Sequence, residues 1–222
     1  MSIKIVPDII IGRLPIYLRA LQSMKKGHET ASPENQKEEM VKPMTTSSQE
    51  LGESVGISAA QIRKDLSQFG GFGTQGTGYK IDELIKQLKH ILKLEKEWSV
   101  AVVGAGDMGH ALSRYQGFKD RGFTIRAVFD NNPELIGKKI GDLTVQSMEN
   151  MADELKKTNT SIAMLTVPAS AAQEVTDQLV KAGVKAILNY APIIIYVPEH
   201  VVVQYIDPSI HLQRMTYYLD EK

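Results

Sequence analysis

Gly104-Ala105-Gly106-Asp107-Met108-Gly109 has the GxGxxG spacing, directly after an apolar run, Val100-Ala101-Val102-Val103, and before a helix-compatible stretch through Tyr115. A bare glycine triad is a weak signal, but this one falls where a strand turns into a helix. There, Gly104 permits the tight turn, Gly106 lets the backbone approach a pyrophosphate, and Gly109 lets helix and strand pack closely. The helix N-terminus offers N–H groups and partial positive charge to phosphates. A second strand, 125–129, ends in Asp130, 21 residues after Gly109. At that distance a carboxylate accepts hydrogen bonds from adenosine ribose hydroxyls. Asp130-Asn131-Asn132-Pro133 also reads as a β-turn opener, and both roles are compatible. No basic residue follows to pair a 2′-phosphate, so NAD and NADH are expected rather than NADP.

These residues need a sheet to hold them. Further strands are expected at 162–166 and 186–188, with a helix over 169–182 that stops at Gly183. Strands alternating with helices imply a parallel sheet with ligand at the carboxyl ends of its strands. The breaks there, Thr166-Val167-Pro168 and Asn189-Tyr190-Ala191-Pro192, are therefore expected near the nicotinamide end of a cofactor. A last strand, 201–206, leads through Asp207-Pro208 to a helical tail, 210–219. Its apolar face (Leu212, Met215, Tyr218, Leu219) either folds back or packs on a second subunit.

The N-terminal third carries different chemistry. Leu14, Tyr17, Leu18 and Leu21 make a helical stripe within 9–24, with Gly27 as its expected stop and Pro15 better suited to a first helical position than to a middle one. A polar stretch, 28–46, reads as a mobile excursion. Ser47-Ser48-Gln49-Glu50 is a capping box, Val55-Gly56-Ile57 a turn, and Ser58-Ala59-Ala60-Gln61 opens a second helix, again in capping-box form, with Ile62, Leu66 and Phe69 inward. Two short capped helices around a glycine turn form a helix-turn-helix pattern. The second helix offers Ser58, Gln61, Arg63, Lys64, Ser67 and Gln68 to base edges and phosphates. Residues 69–79 hold five glycines among Thr and aromatics. They read as a thin hairpin wing whose Gln75, Gly76 and Tyr79 face DNA. Either element alone is commonly a solvated surface or a plain loop; the two in succession point to double-stranded DNA. The helix at 81–98 is expected to join two domains and pack on both.

Composition narrows the classes. The 222 residues fit one large or two small domains, and 26 basic residues balance 26 acidic ones, which excludes a chain polybasic throughout. The balance is uneven along the chain: 1–80 carries +2, 81–97 carries 0 and 98–222 carries −2. With no cysteine there is no disulfide, thiolate metal site or thiol redox switch. The histidines (28, 90, 110, 200 and 211) lack metal-ligand spacing, and no nucleophile triad or carboxylate pair stands out, so neither a metal nor a catalytic residue is expected. His110 reads as a surface or packing residue. No apolar run spans a membrane and no secretory signal is apparent, so the expected location is cytoplasmic. A small NAD-dependent oxidoreductase and a CoA-binding module remain the alternatives. The 124 residues from Ser99 leave little room for a substrate domain, and Asp130 favours ribose hydroxyls.

This order of parts resembles the Rex family of bacterial redox-sensing transcriptional repressors. The matching segments are 13–19 (Arg-Leu-Pro-Ile-Tyr-Leu-Arg), 62–70, the wing through Gly76-Thr77-Gly78-Tyr79, 103–109, 165–169 and 187–192. The resemblance implies an α/β chain: an N-terminal winged helix-turn-helix (1–80), a linker helix (81–98), a Rossmann-like parallel-sheet domain for NAD(H) (99–206) and a C-terminal helix (207–222) exchanged in a homodimer. It implies binding to pseudo-palindromic operator DNA and release by NADH. It places Tyr115 near the nicotinamide and makes Arg19 and Asp207 a pair whose contact depends on ligand state. Two departures stand out: the 28–46 excursion is longer than usual, and Pro208 stands where some members carry an aromatic residue.

Overall fold

A computed structural model describes residues 6–31, 43–73 and 78–219. The chain divides into two units, Met1–Glu95 and Lys96–Lys222.

In the first unit, α1 (Asp8–Ala31) buries Leu14, Tyr17, Leu18 and Leu21, the expected stripe. It is longer than expected at both ends: Pro15 is its eighth residue, and Gly27 does not stop it. Glycine costs a helix about 1 kcal/mol and interior proline about 3. Burying the stripe offsets both, because each large apolar side chain contributes about 1.5–3 kcal/mol. The next elements are β1 (Thr45–Thr46), α2 (Ser48–Val55) and α3 (Ala59–Leu66). The Ser47 capping box is complete in both directions, and Gly56 caps α2 in the left-handed region at φ 69°. At Ser58 only half the expected box forms. Its hydroxyl accepts from the Gln61 N–H, while the Gln61 side chain turns to Asp65.

The wing differs from a self-contained hairpin. β2 (Tyr79–Lys80) pairs antiparallel with β1, so part of the 28–46 excursion is strand. Residues 74–77, including Gln75 and Gly76, lie outside the described residues. α4 (Ile81–Ile91) buries Ile81, Leu84 and Leu88 in the same core as Leu14, Leu51, Ile62 and Leu66. Its apolar face therefore belongs to the first unit. The boundary falls after it, where the chain turns from helix to strand.

The second unit is a seven-stranded sheet flanked by helices. In chain order its elements are β3 (Trp98–Val103), α5 (Asp107–Arg114), β4 (Phe123–Asp130), β5 (Lys139–Ile140), β6 (Leu143–Ser147), α6 (Met151–Lys157), β7 (Ile162–Leu165), α7 (Ala169–Lys181), β8 (Ala186–Asn189), β9 (Val202–Tyr205) and α8 (Pro208–Thr216). The sheet order is β5-β6-β4-β3-β7-β8-β9, parallel throughout except for β5 against β6. Starting from β3, the chain builds outward on one side through β4 and β6, then on the other through β7, β8 and β9. The reversal leaves a crevice at the carboxyl ends of β3 and β7, where open α/β sheets bind ligands. Buried residues cover both faces of the sheet: Val103, Phe129, Leu165 and Leu179 in one cluster, Val100, Val102, Val128 and Val145 in another. No described helix is long and apolar enough to cross a membrane. α8 buries nothing within the chain; Ile210, Leu212, Met215, Tyr218 and Leu219 are all exposed.

Candidate functional sites

The glycine loop is built by the register of three strands. Val103 pairs with Phe129 on one side and Leu165 on the other, which brings the ends of β3, β4 and β7 level. Gly104 then leaves β3 at φ 99°, and a Cβ there would lie 2.5 Å from the Thr166 carbonyl oxygen. Only glycine fits that turn. Thr166 stitches the loop to β7, its hydroxyl donating to the carbonyls of Val103 (3.0 Å) and Gly104 (2.8 Å). At Gly109 a Cβ would run into the Gly104 carbonyl, so α5 can approach the loop only without a side chain. Gly106 faces open space, which leaves its backbone accessible. It also begins α5, whose N-terminus has no side-chain cap.

Asp130 stands across from this loop. Its Oδ2 accepts from the Ala105 N–H at 2.6 Å and its Oδ1 from the Asn132 N–H at 2.8 Å. The first bond ties the loop to the end of β4; the second is the turn read from Asp-Asn-Asn-Pro. An ionised carboxylate offers about four acceptor positions, so two remain. Asp130 lines a cavity of about 730 Å³ with Gly104, Gly106, Thr166, Val167 and Pro168. That volume suits an organic cofactor.

The structure gathers those six expected residues and adds others. Leu135 and Met148 line the cavity, as do Ala171, Glu174, Val175 and Gln178 on α7. The α7 residues repeat at i, i+3, i+4 and i+7, a helical stripe legible in the sequence once the helix is known to border the crevice. The remaining expected cofactor residues are placed elsewhere. Ala105 is buried within the loop and Gly109 is buried on α5, where Asp107 and Met108 are exposed. The Asn189 side chain accepts from Ala191 N–H and donates to the Ile193 carbonyl, both at 2.9 Å, so it braces its own turn. Ala191 is buried there and Pro192 exposed, and neither lines the cavity. Tyr115 is 52% exposed, set edge-to-face against Phe118.

In the first unit, α2, the Gly56 turn and α3 present Ser58, Arg63, Lys64 and Ser67 to solvent. The Arg63 guanidinium donates to the Ser48 hydroxyl at 2.8 Å, which props it over α2. Tyr79 departs from expectation: at 8% exposure its ring is part of the core, because β2 turns it inward. Gln61 is half-buried and bonded to Asp65. Arg19 is exposed on α1, and Asp207 caps α8, accepting from the Ser209 N–H at 2.9 Å.

The residue that sequence reasoning missed is Asp65, which is fully buried. Its Oδ2 accepts from Arg13 Nε (2.6 Å) and the Tyr17 hydroxyl (2.6 Å); its Oδ1 accepts from Arg13 Nη2 (2.8 Å) and Gln61 Nε2 (2.7 Å). Burial by itself raises its pKa. The bonds from Arg13, Tyr17 and Gln61 outweigh that and hold it below the ordinary carboxylate value. Burial, followed by the bond to Asp65, pushes the Tyr17 phenol well up. The only available signal was an acid in an otherwise apolar stripe, one turn after Gln61. Among the described residues there is no cluster of metal-ligating side chains.

Comparison with known proteins finds relatives for both units. Residues 42–67 match a family described as putative DNA-binding protein N-terminus, and 95–193 one described as CoA binding domain. The chain is 48% identical over 214 residues to the redox-sensing transcriptional repressor Rex of Roseiflexus sp. (strain RS-1), covering 96% of this chain and 90% of that one. It is 44% identical over 217 residues to the protein of that name from Pelotomaculum thermopropionicum, covering 98% and 95%. The Rex-family repressor RSP, in complex with beta-NAD+ and operator DNA, superposes with a TM-score of 0.85 at 39% identity, covering 98% of this chain and 94% of that one. RSP in complex with beta-NADH superposes at 0.83 and 37%, covering 98% and 96%. The chain belongs to the Rex family of redox-sensing transcriptional repressors.

Proposed function

We propose that this chain is a transcriptional repressor that binds operator DNA as a homodimer and leaves it when NADH binds. It thereby reports the NADH/NAD+ ratio in the cytoplasm without catalysing a reaction. Near-half identity to Rex repressors along almost the whole chain is the observation that carries this reading. The cavity supports it: glycine backbone for a pyrophosphate at one end, and Asp130 with two acceptor positions to spare for ribose hydroxyls. The exposed apolar face of α8 supports a second subunit as its cover, and the resemblance implies that the helix is exchanged to provide it.

In this reading Gly104 to Gly109, Asp130 and 166–168 hold the cofactor. Tyr115, Asn189, Ala191 and Pro192 are assigned to its nicotinamide end, and Arg19 and Asp207 to the switch. Ser58, Gln61, Arg63, Lys64, Ser67 and the wing contact DNA, with Tyr79 positioning the wing from the core. The two ligand states differ only at the nicotinamide ring, so discrimination must occur beside it. Shifting a two-state equilibrium from 1:99 to 99:1 takes about 5.5 kcal/mol of differential affinity, which two cooperating sites in a dimer would share.

The test is a titration of protein–operator complex with NADH, NAD+ and CoA. NADH at micromolar levels should abolish the complex and NAD+ should not; persistence of the complex in saturating NADH would sink the sensor reading. CoA is included because 95–193 match a CoA-binding family. Displacement of bound NADH by CoA would favour that ligand instead.

A further inference from the structure

Gln61 is the third residue of the recognition helix α3, at the end that enters a major groove first. Its side chain is not free to rotate like that of an ordinary surface glutamine. One bond, 2.7 Å from Nε2 to Asp65 Oδ1, ties it to a carboxylate whose own position is fixed from α1 by Arg13 and Tyr17. An ionised carboxylate only accepts, so the amide must turn its nitrogen toward Asp65. All four acceptor positions of Asp65 are then filled, and its side chain is fully buried.

One Nε2 proton is spent in this bond. The other proton and Oε1 have no side-chain or backbone partner among the described residues. They form one donor beside one acceptor. In the major groove, adenine alone places a donor (N6–H) beside an acceptor (N7) on a single base. Guanine shows two acceptors there, cytosine a donor, and thymine an acceptor and a methyl.

We propose that Gln61 determines specificity by reading one adenine in each operator half-site, and that Asp65 is the positioning residue that sets its amide for the task. The inference rests on the chain being an operator-binding repressor. The second helix of the motif thus takes the orientation of one base-reading side chain from the first helix of the fold. Arg13 and Tyr17 act at the base only through Asp65.

The experiment is selection of bound duplexes from a random pool by the full-length chain. Wild type should yield a two-fold consensus with adenine fixed at one position per half-site. Gln61→Ala should yield the same consensus with that position degenerate, its preference for adenine falling about tenfold. Replacing that adenine by 7-deazaadenine should weaken wild type and leave Gln61→Ala indifferent. Asp65→Asn should relax the same position while the rest of the consensus stands. To keep the positioning role testable even if that variant unfolds, the wild-type Gln61 side-chain amide is followed by ¹⁵N NMR, assigned by its loss in Gln61→Ala. The proton held by Asp65 is expected to shift downfield and to exchange slowly with water, and exchange as fast as that of an unrestrained glutamine amide would overturn the positioning role. An unchanged consensus in Gln61→Ala, or a base other than adenine at its position, would overturn the reading role. Failure of wild type to select any consensus would instead refute the operator-binding function itself.

Discussion

Among the described residues, Asp65 and Asp130 are the aspartates that accept the most hydrogen bonds within their units, and they are bound in opposite ways. Asp65 spends all its acceptor positions on side chains of its own unit and is sealed from water. Asp130 spends two on backbone N–H groups at the rim of a cavity and keeps two. The first arrangement fixes a helix. The second holds a loop in shape and leaves capacity for a ligand. A buried carboxylate is therefore no sign of a binding site until its remaining acceptor positions have been counted.

Breaking Asp65 should have the largest effect. Asp65→Ala leaves the Arg13 guanidinium and the Tyr17 hydroxyl without their partner and should destabilise the first unit by about 3 kcal/mol, read by denaturant melting. Nucleotide affinity should hold. The same contrast has a pH signature. The folded pKa of Asp65 is lowered, so its contribution is complete above the unfolded value near 3.9 and fades as pH falls through the folded value. Acid should therefore loosen the first unit of wild type below about pH 4, and Asp65→Asn should flatten that limb of the stability curve.

Next comes the glycine loop. Gly109→Ala places a Cβ against the Gly104 carbonyl and should push α5 off the loop, costing about 2 kcal/mol of NADH affinity, or about 30-fold, by calorimetry. Asp130→Asn should weaken NADH and NAD+ alike by about 1.5 kcal/mol while changing stability less than affinity. Should Asp130→Asn lower stability as much as Asp65→Ala does, the distinction between the two carboxylates would be lost. The smallest effect is expected at Arg63. Arg63→Ala should reduce the salt dependence of operator binding by about one phosphate, measured as the slope of log affinity against log salt. An unchanged slope would make Arg63 a prop for α2, as its bond to Ser48 already allows.

Much of this fold was legible in the chain. Both N-caps, the Gly56 turn, strands β3, β4, β7, β8 and β9, and helix α7 followed from capping patterns, apolar runs and glycines. These signals are local, and local signals survive in one dimension. The misreadings share a cause. Pro15 and Gly27 are helix breakers by propensity, and the tertiary burial of the α1 stripe overrode them. The β5–β6 hairpin and α6 carry too few residues for a clear period and went unread. A hairpin closed on itself would put Tyr79 on the DNA side, and the structure puts it in the core. Its partner strand comes from Thr45–Thr46, more than thirty residues upstream.

By itself, then, the sequence determined the kinds of chemistry present. A loop for phosphates, an acid at ribose distance, a helix-turn-helix and an absence of cysteine are all statements about residue type and spacing. Only the tertiary structure decided which residues share a space. It turned one stripe of α7 into the wall of the cavity and used Asn189 to brace its own turn. It also joined Arg13 to Asp65 across 52 residues of chain. The physical reason is that backbone preferences act over a few residues, whereas burial and hydrogen-bond saturation are settled by neighbours in space, whatever their distance along the chain.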